Sequence, residues 1–150
     1  TTLKKVIVLK ILIHAGALIP LLNLYTLAFA DELGADPVEA VIHFTGIGAL
    51  NLLLLSLTVT PLAKLTKQGY LLQTRRVIGL YAFTYALFHL INFLAFEVQF
   101  DMGLFISEVI QRPYITVGMV AFLLLIALAV TSINKIKTNN YISTLIITNP

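Results

Sequence analysis

Cysteine is missing from all 150 residues. Its absence removes disulfides, thiolate metal ligands, thiol nucleophiles and c-type haem attachment together. Any metal would have to be held by histidine or oxygen. Charge is scarce as well: 11% of residues are Asp, Glu, Lys or Arg, against 59% hydrophobic and a mean hydropathy of +0.94. Soluble domains carry roughly a quarter charged residues, so the composition is that of a membrane protein. Also lacking are a nucleophile beside a base, a glycine-rich phosphate loop and a pair of buried carboxylates, so no substrate chemistry is expected on the chain itself. Nothing repeats internally, and no low-complexity linker separates a second domain.

What is present is long apolar runs. A spanning helix needs about 20 such residues, and four segments qualify: about 6–30, 40–63, 77–96 and 114–133. Lipid offers a lone segment no backbone partners, so each must be a helix, and the strict alternation of a β-barrel is absent. The expected fold is therefore all-α, an integral membrane bundle of four transmembrane helices. Pro20 should kink the first span, Pro61 should end the second, and Pro113 suits the first turn of the fourth. Lys4 and Lys5 before an apolar core, with Ala28-Phe29-Ala30 behind it, imitate a signal peptide. The apolar stretch is longer than a signal core, and the first span is read as retained.

Charge placement sets the orientation. Nine of the ten basic residues, all but Arg112, precede or enter the first span, join the second and third, or follow the fourth. All seven acids, Asp31, Glu32, Asp36, Glu39, Glu97, Asp101 and Glu108, lie in the other loops. By the positive-inside rule both termini and the 64–76 loop are cytoplasmic. The net charge of +3 then reflects topology and membrane lipid, with no nucleic-acid partner expected.

Three histidines stand inside or beside the spans. An ionisable residue there is a functional hypothesis by default, and a neutral imidazole bonded to a neighbouring helix is the plain alternative. His89 lies thirteen residues beyond Arg76, about 20 Å along a helix, in the outer half of the bilayer. Tyr85 and Tyr81 precede it at i−4 and i−8, Asn92 follows at i+3, and Ala86 and Ala82 lie alongside, so a flat macrocycle could rest on that face. His43 falls near the same level on the second span, flanked by Gly46 and Ile47; by composition alone the packing role stands slightly ahead of the ligand role. His14, next to Gly16, sits in the opposite half and reads as a packing or hydrogen-bonding residue.

The stretches "LGADPVEAVIHFTGIGALNLLLLSLTVTPLAKL", "TRRVIGLYAFTYALFHL" and "RPYITVGMVAFLLLIALAVTS" resemble the haem-binding membrane subunits of the periplasmic methionine-sulfoxide reductase system. This is the MsrQ or YedZ family of the ferric-reductase-like transmembrane group. The resemblance covers roughly residues 10–132 and implies a haem b protein of the bacterial inner membrane. Such a subunit takes electrons from the quinone pool, or from reduced flavin such as FMN, and passes them to a periplasmic molybdenum-cofactor reductase. Carried over by residue, His89 matches the haem ligand and metal site of the third span, and His43 matches the histidine of "HFTG" as a second candidate ligand. Arg75 and Arg76 match the "TRR" pair, where a haem propionate or flavin phosphate could sit; topological anchoring explains them equally. Tyr85 joins these as a cofactor-facing candidate.

At the carboxyl end the resemblance stops. The family continues into a fifth span with further histidines, one of them the opposite axial ligand, whereas this chain reads "INKIKTNNYISTLIITNP". Residues 1–137 are thus expected to form the transmembrane domain and 138–150 an unsettled tail, with the chain shortened relative to the family and its electron transfer open to defect. The competing reading is a small structural or transport bundle without haem. A transporter would more often carry acids within its spans, and none is present here.

Overall fold

The computed structural model describes residues 2–148, with side chains for residues 2–131. Among the described residues every regular element is helical. They run α1 (Thr2–Phe29), α2 (Pro37–Leu65), a 3₁₀ turn (Gly69–Leu71), α3 (Leu72–Asn92), a π turn (Phe93–Glu97), α4 (Met102–Gln111) and α5 (Pro113–Thr148). Four of these segments are long and apolar enough to cross a membrane: Thr2–Phe29, Pro37–Leu65, Gly69–Glu97 and Pro113–Thr131. The all-α, four-span expectation is borne out, and the chain is a multi-pass membrane protein. The expectation for 138–150 concerns residues whose side chains lie outside those described.

The prolines behave in three ways. Pro113 opens α5, as expected, because its missing N–H would have no intrahelical partner there. Pro20 sits inside an α1 that is helical on both sides of it. Pro61 does not end the second span, contrary to the expectation: α2 continues through it to Leu65. Proline removes one N–H, here the one that would reach Leu57, and the next residues still donate normally. The helix ends instead at Lys67, whose φ of 56° lets the Gln68 N–H reach Ala63 O at 3.0 Å and its own N–H reach Lys64 O at 3.3 Å. The third span also begins earlier than expected, so Arg75 and Arg76 lie in the first turns of α3 and not in the preceding loop.

Residues 1–106 and 107–150 form two compact units. In the first, α3 packs between α1 and α2. Three ties join α1 to α3: the His14 ring nitrogen to the Tyr81 hydroxyl, Tyr85 Oη to Ala17 O at 2.6 Å, and Asn92 Nδ2 to Tyr25 Oη at 2.9 Å. The sequence separations of 67, 68 and 67 are nearly constant, so α1 and α3 run parallel. Against α2 the pairing reverses: Ile42 meets His89, while Ser56 Oγ donates to Arg75 O at 3.1 Å. That makes α2 antiparallel to α3. Small residues allow the approach, since lipid supplies no hydrophobic drive between spans and close packing must do the work: Ala82 is fully buried, and Gly79 takes Ser56 Oγ 3.4 Å from where a Cβ would stand.

The C-terminal end of α3 closes through Gln99 and Phe100, both at positive φ, with Phe100 N–H donating to Leu94 O at 2.8 Å. Asp101 then caps α4, accepting from the N–H groups of Gly103 at 2.8 Å and Leu104 at 3.1 Å. This ten-residue helix is too short for the spanning criterion and was not expected from the apolar runs. In the second unit Arg112 pairs with Glu108 at 2.7 Å at the junction preceding α5.

Candidate functional site

Asp36 starts α2 by accepting the Glu39 N–H at 2.9 Å, and Pro37 fills the first turn. From that start Glu39, His43 and Gly46 follow at helical spacing along one flank. His89, on α3, lies against this flank. Its Nδ1 is 2.9 Å from the Ile42 carbonyl oxygen. A carbonyl only accepts, so Nδ1 carries the proton, and in the neutral ring Nε2 keeps its lone pair.

Gly46 makes that contact possible. A Cβ at this position would stand 2.9 Å from His89 Cε1 and 3.0 Å from Nδ1, closer than carbon atoms pack. The Ile42 carbonyl is shared, since Thr45 Oγ1 also donates to it at 3.1 Å and to Val41 O at 2.8 Å. Beside the ring opens a recess of about 300 Å³, lined by Glu39, Ile42, His43, Gly46, Ile47 and His89. His43 and His89, picked out separately in the sequence, therefore share one recess.

The other candidates lie elsewhere. Tyr85 is 3% exposed and is not among the residues lining the recess; its hydroxyl is held by Ala17 O, and its ring lies against Gly48. The face of Tyr85, Ala82 and Asn92, expected to be free for a flat group, is buried by helix packing. Arg75 and Arg76 are exposed near the start of α3, about 20 Å of helix away from His89. His14 bonds Tyr81, with the two rings edge to face at 5.4 Å, in keeping with the hydrogen-bonding role read for it.

Sequence reasoning missed the Ile42 carbonyl and the part played by Gly46. A backbone oxygen has no signature in a sequence; Gly46, three residues after His43, was the available signal.

Chemically, the recess offers two imidazoles beside a mostly apolar surface, and for His89 the hydrogen bond leaves Nε2 as the nitrogen with a lone pair. Among the described residues no group of three or more His, Cys, Asp or Glu could hold a bare metal ion. A site of this kind suits a metal that arrives with most of its coordination already filled, as iron does in a porphyrin. Donation from Nδ1–H to a carbonyl is the usual support of a metal-binding imidazole, because it fixes the ring and raises the basicity of the other nitrogen.

Comparison with known proteins points the same way. The family described as "Ferric reductase like transmembrane component" matches residues 44–145; this stretch contains His89 and starts one residue after His43. The protein-methionine-sulfoxide reductase heme-binding subunit MsrQ of Xanthomonas oryzae pv. oryzae (strain MAFF 311018) is 45% identical over 137 residues, covering 87% of this chain and 63% of that protein. The MsrQ subunit of Cronobacter sakazakii is 43% identical over 132 residues, with 87% and 66% covered. That of Klebsiella pneumoniae subsp. pneumoniae is 41% identical over 132 residues, with 87% and 65% covered. The chain spans less than two thirds of the length of these curated relatives. No solved structure matches it.

Proposed function

Because the chain belongs to the ferric-reductase-like transmembrane family, among its MsrQ-type members, we propose that it holds haem b on His89 and conducts electrons across the bacterial inner membrane. The carrying observation is the Nδ1 hydrogen bond to Ile42 O, which leaves Nε2 as the His89 nitrogen able to serve as a ligand. When bound, haem supplies a one-electron iron couple. The chain's own residues would do the rest: His89 would supply a ligand nitrogen, while Ile42 O holds its ring, Gly46 gives the ring room, and Ile42 and Ile47 form part of the apolar wall.

His43 has a different part in this reading. The Nδ1 edge of His89 is turned to the α2 backbone, so Nε2 is on the side of the ring away from that carbonyl, and a metal held there would be too. His43 grows from α2 itself, one residue beyond Ile42. It lines the same recess as His89, and in this reading it would border a bound macrocycle and not ligate its iron. Any second ligand to the iron would then be supplied from outside the described residues or by water.

Electrons enter from the end bearing Arg75 and Arg76, from the quinone pool or from reduced flavin whose phosphate those guanidinium groups would pair. They leave at the acidic end, formed by loops 31–36 and 97–101, to a periplasmic molybdenum-cofactor reductase acting on methionine sulfoxide. Both termini are cytoplasmic in this scheme, from the charge distribution.

Absorption spectra of the purified chain titrated with haem test the assignment. A Soret band should form with the unsubstituted chain, vanish in His89→Ala and persist with unchanged spin state in His43→Ala. A band that survives His89→Ala overturns the assignment of the ligand, and a chain that takes up no haem overturns the function.

A further inference from the structure

At the opposite end of the same unit lies a second and larger recess, of about 440 Å³, between the start of α1 and the 3₁₀ turn. Lys4 and Lys5 stand at its rim. Val8, Leu9 and Leu12 continue along α1 as an aliphatic wall, and Leu71 and Tyr70 close the other side. The Tyr70 hydroxyl donates to Gln68 Oε1 at 2.6 Å, which holds the phenol on the 3₁₀ side. The recess is thus two-part, cationic at one end and apolar along its length.

Neither ammonium has a carboxylate partner among the described residues. No acid is available nearby: the first in the chain, Asp31, follows the far end of α1, and 28 residues of helix put it about 40 Å away. Among the described residues nothing competes for the ammonium groups of Lys4 and Lys5, so they are available to an anion from outside the chain. A free phosphate or nucleotide would satisfy the lysines and leave the wall of Val8, Leu9 and Leu12 facing water. An anionic lipid satisfies both at once, with its phosphate between the ammonium groups and an acyl chain laid along the helix. Basic recesses between spans at the headgroup level are the usual form of such sites.

We propose that this recess is a binding site for one anionic phospholipid, with Lys4 and Lys5 on the phosphate and Val8, Leu9 and Leu12 on the first part of an acyl chain. The site is independent of haem at His89 and stands or falls without it.

Native mass spectrometry of the full chain in mild detergent, with dioleoyl-phosphatidylglycerol or dioleoyl-phosphatidylcholine added, reads the site directly. In detergent, membrane orientation does not enter. One retained phosphatidylglycerol is expected, preferred at least fivefold over phosphatidylcholine. Lys4→Gln with Lys5→Gln should abolish the preference, whereas Lys64→Gln with Lys67→Gln, the same change of charge at the same end, should keep it. Leu9→Trp fills the recess with both lysines intact and should also lose the lipid; circular dichroism checks that each variant keeps its helix content. Equal loss in the two lysine pairs overturns the proposal, because the preference would then be a general field of the basic end. It is overturned equally by undiminished retention in Leu9→Trp, or by displacement of the lipid with millimolar inorganic phosphate or FMN, which would make the ligand a soluble anion.

Discussion

Gly46 and Gly48 stand two positions apart on α2 and admit different rings, His89 in one case and Tyr85 in the other. The consequences of adding a methyl group differ accordingly. At Gly48 a Cβ would lie 2.5 Å from the Tyr85 ring, and that ring cannot swing away cheaply while its hydroxyl is held by Ala17 O. Gly48→Ala should therefore destabilise the folded chain by about 1–3 kcal/mol, the usual range for overpacking, measured by denaturant titration of helical circular dichroism. At Gly46 the methyl would meet His89 Cε1 at 2.9 Å and displace the ring from the Ile42 carbonyl. Gly46→Ala should lower haem affinity about 10-fold or more, as loss of the outer partner of a metal-binding histidine does, with a smaller effect on helix content. Haem titration of the two variants side by side separates the cases. At this scale the sequence exposed His89 and His43, because imidazole in an apolar span is conspicuous. It did not reveal which nitrogen is available, since that depends on a carbonyl oxygen of another helix.

Between elements, polar ties and small residues set the register of the spans. Tyr25 and Asn92 exchange hydrogen bonds, with Asn92 Nδ2 donating to Tyr25 Oη at 2.9 Å and the hydroxyl 3.3 Å from Asn92 Oδ1. Because Asn92 is 5% exposed, the amide has few alternative partners. A double-mutant cycle of Tyr25→Phe and Asn92→Ala, read by denaturant unfolding, should give a coupling of about 0.6 kcal/mol and no more than about 1.7 kcal/mol, the range for hydrogen bonds between spans. Coupling near zero would mean that the pair does not tie α1 to α3. The existence and type of the spans were legible because twenty-residue apolar runs admit only helix in lipid. Their ends were less so: Pro61 was given too much weight, and Lys67 ends α2 at a φ of 56° that sequence reasoning would sooner assign to glycine. The helix α4 went unseen because it is ten residues long and sits in a loop that the spanning criterion passes over.

For the whole molecule the dominant pattern is the separation of charge, with nine of ten basic residues towards one end of the spans and all seven acids towards the other. Apolar side chains stay exposed along the spans, as lipid allows: on α2, Leu54, Leu55 and Leu57 are each just over half exposed. Hydropathy therefore locates spans but does not tell which face meets another helix, and that is why the face of Tyr85 and Ala82 was expected to be open when packing buries it. Orientation follows from the charges, and the absence of cysteine makes it directly measurable. Single cysteines placed at Gln68, between α2 and the 3₁₀ turn, and at Asp101, at the start of α4, can be labelled with a membrane-impermeant maleimide in intact cells without background from native thiols. The positive-inside rule requires Asp101→Cys to react from outside and Gln68→Cys to react only after the membrane is opened. The reverse pattern would put His89 in the inner half of the bilayer and turn the electron path around, because in α3 the side of the membrane and the depth of the imidazole are set by the same two arginines.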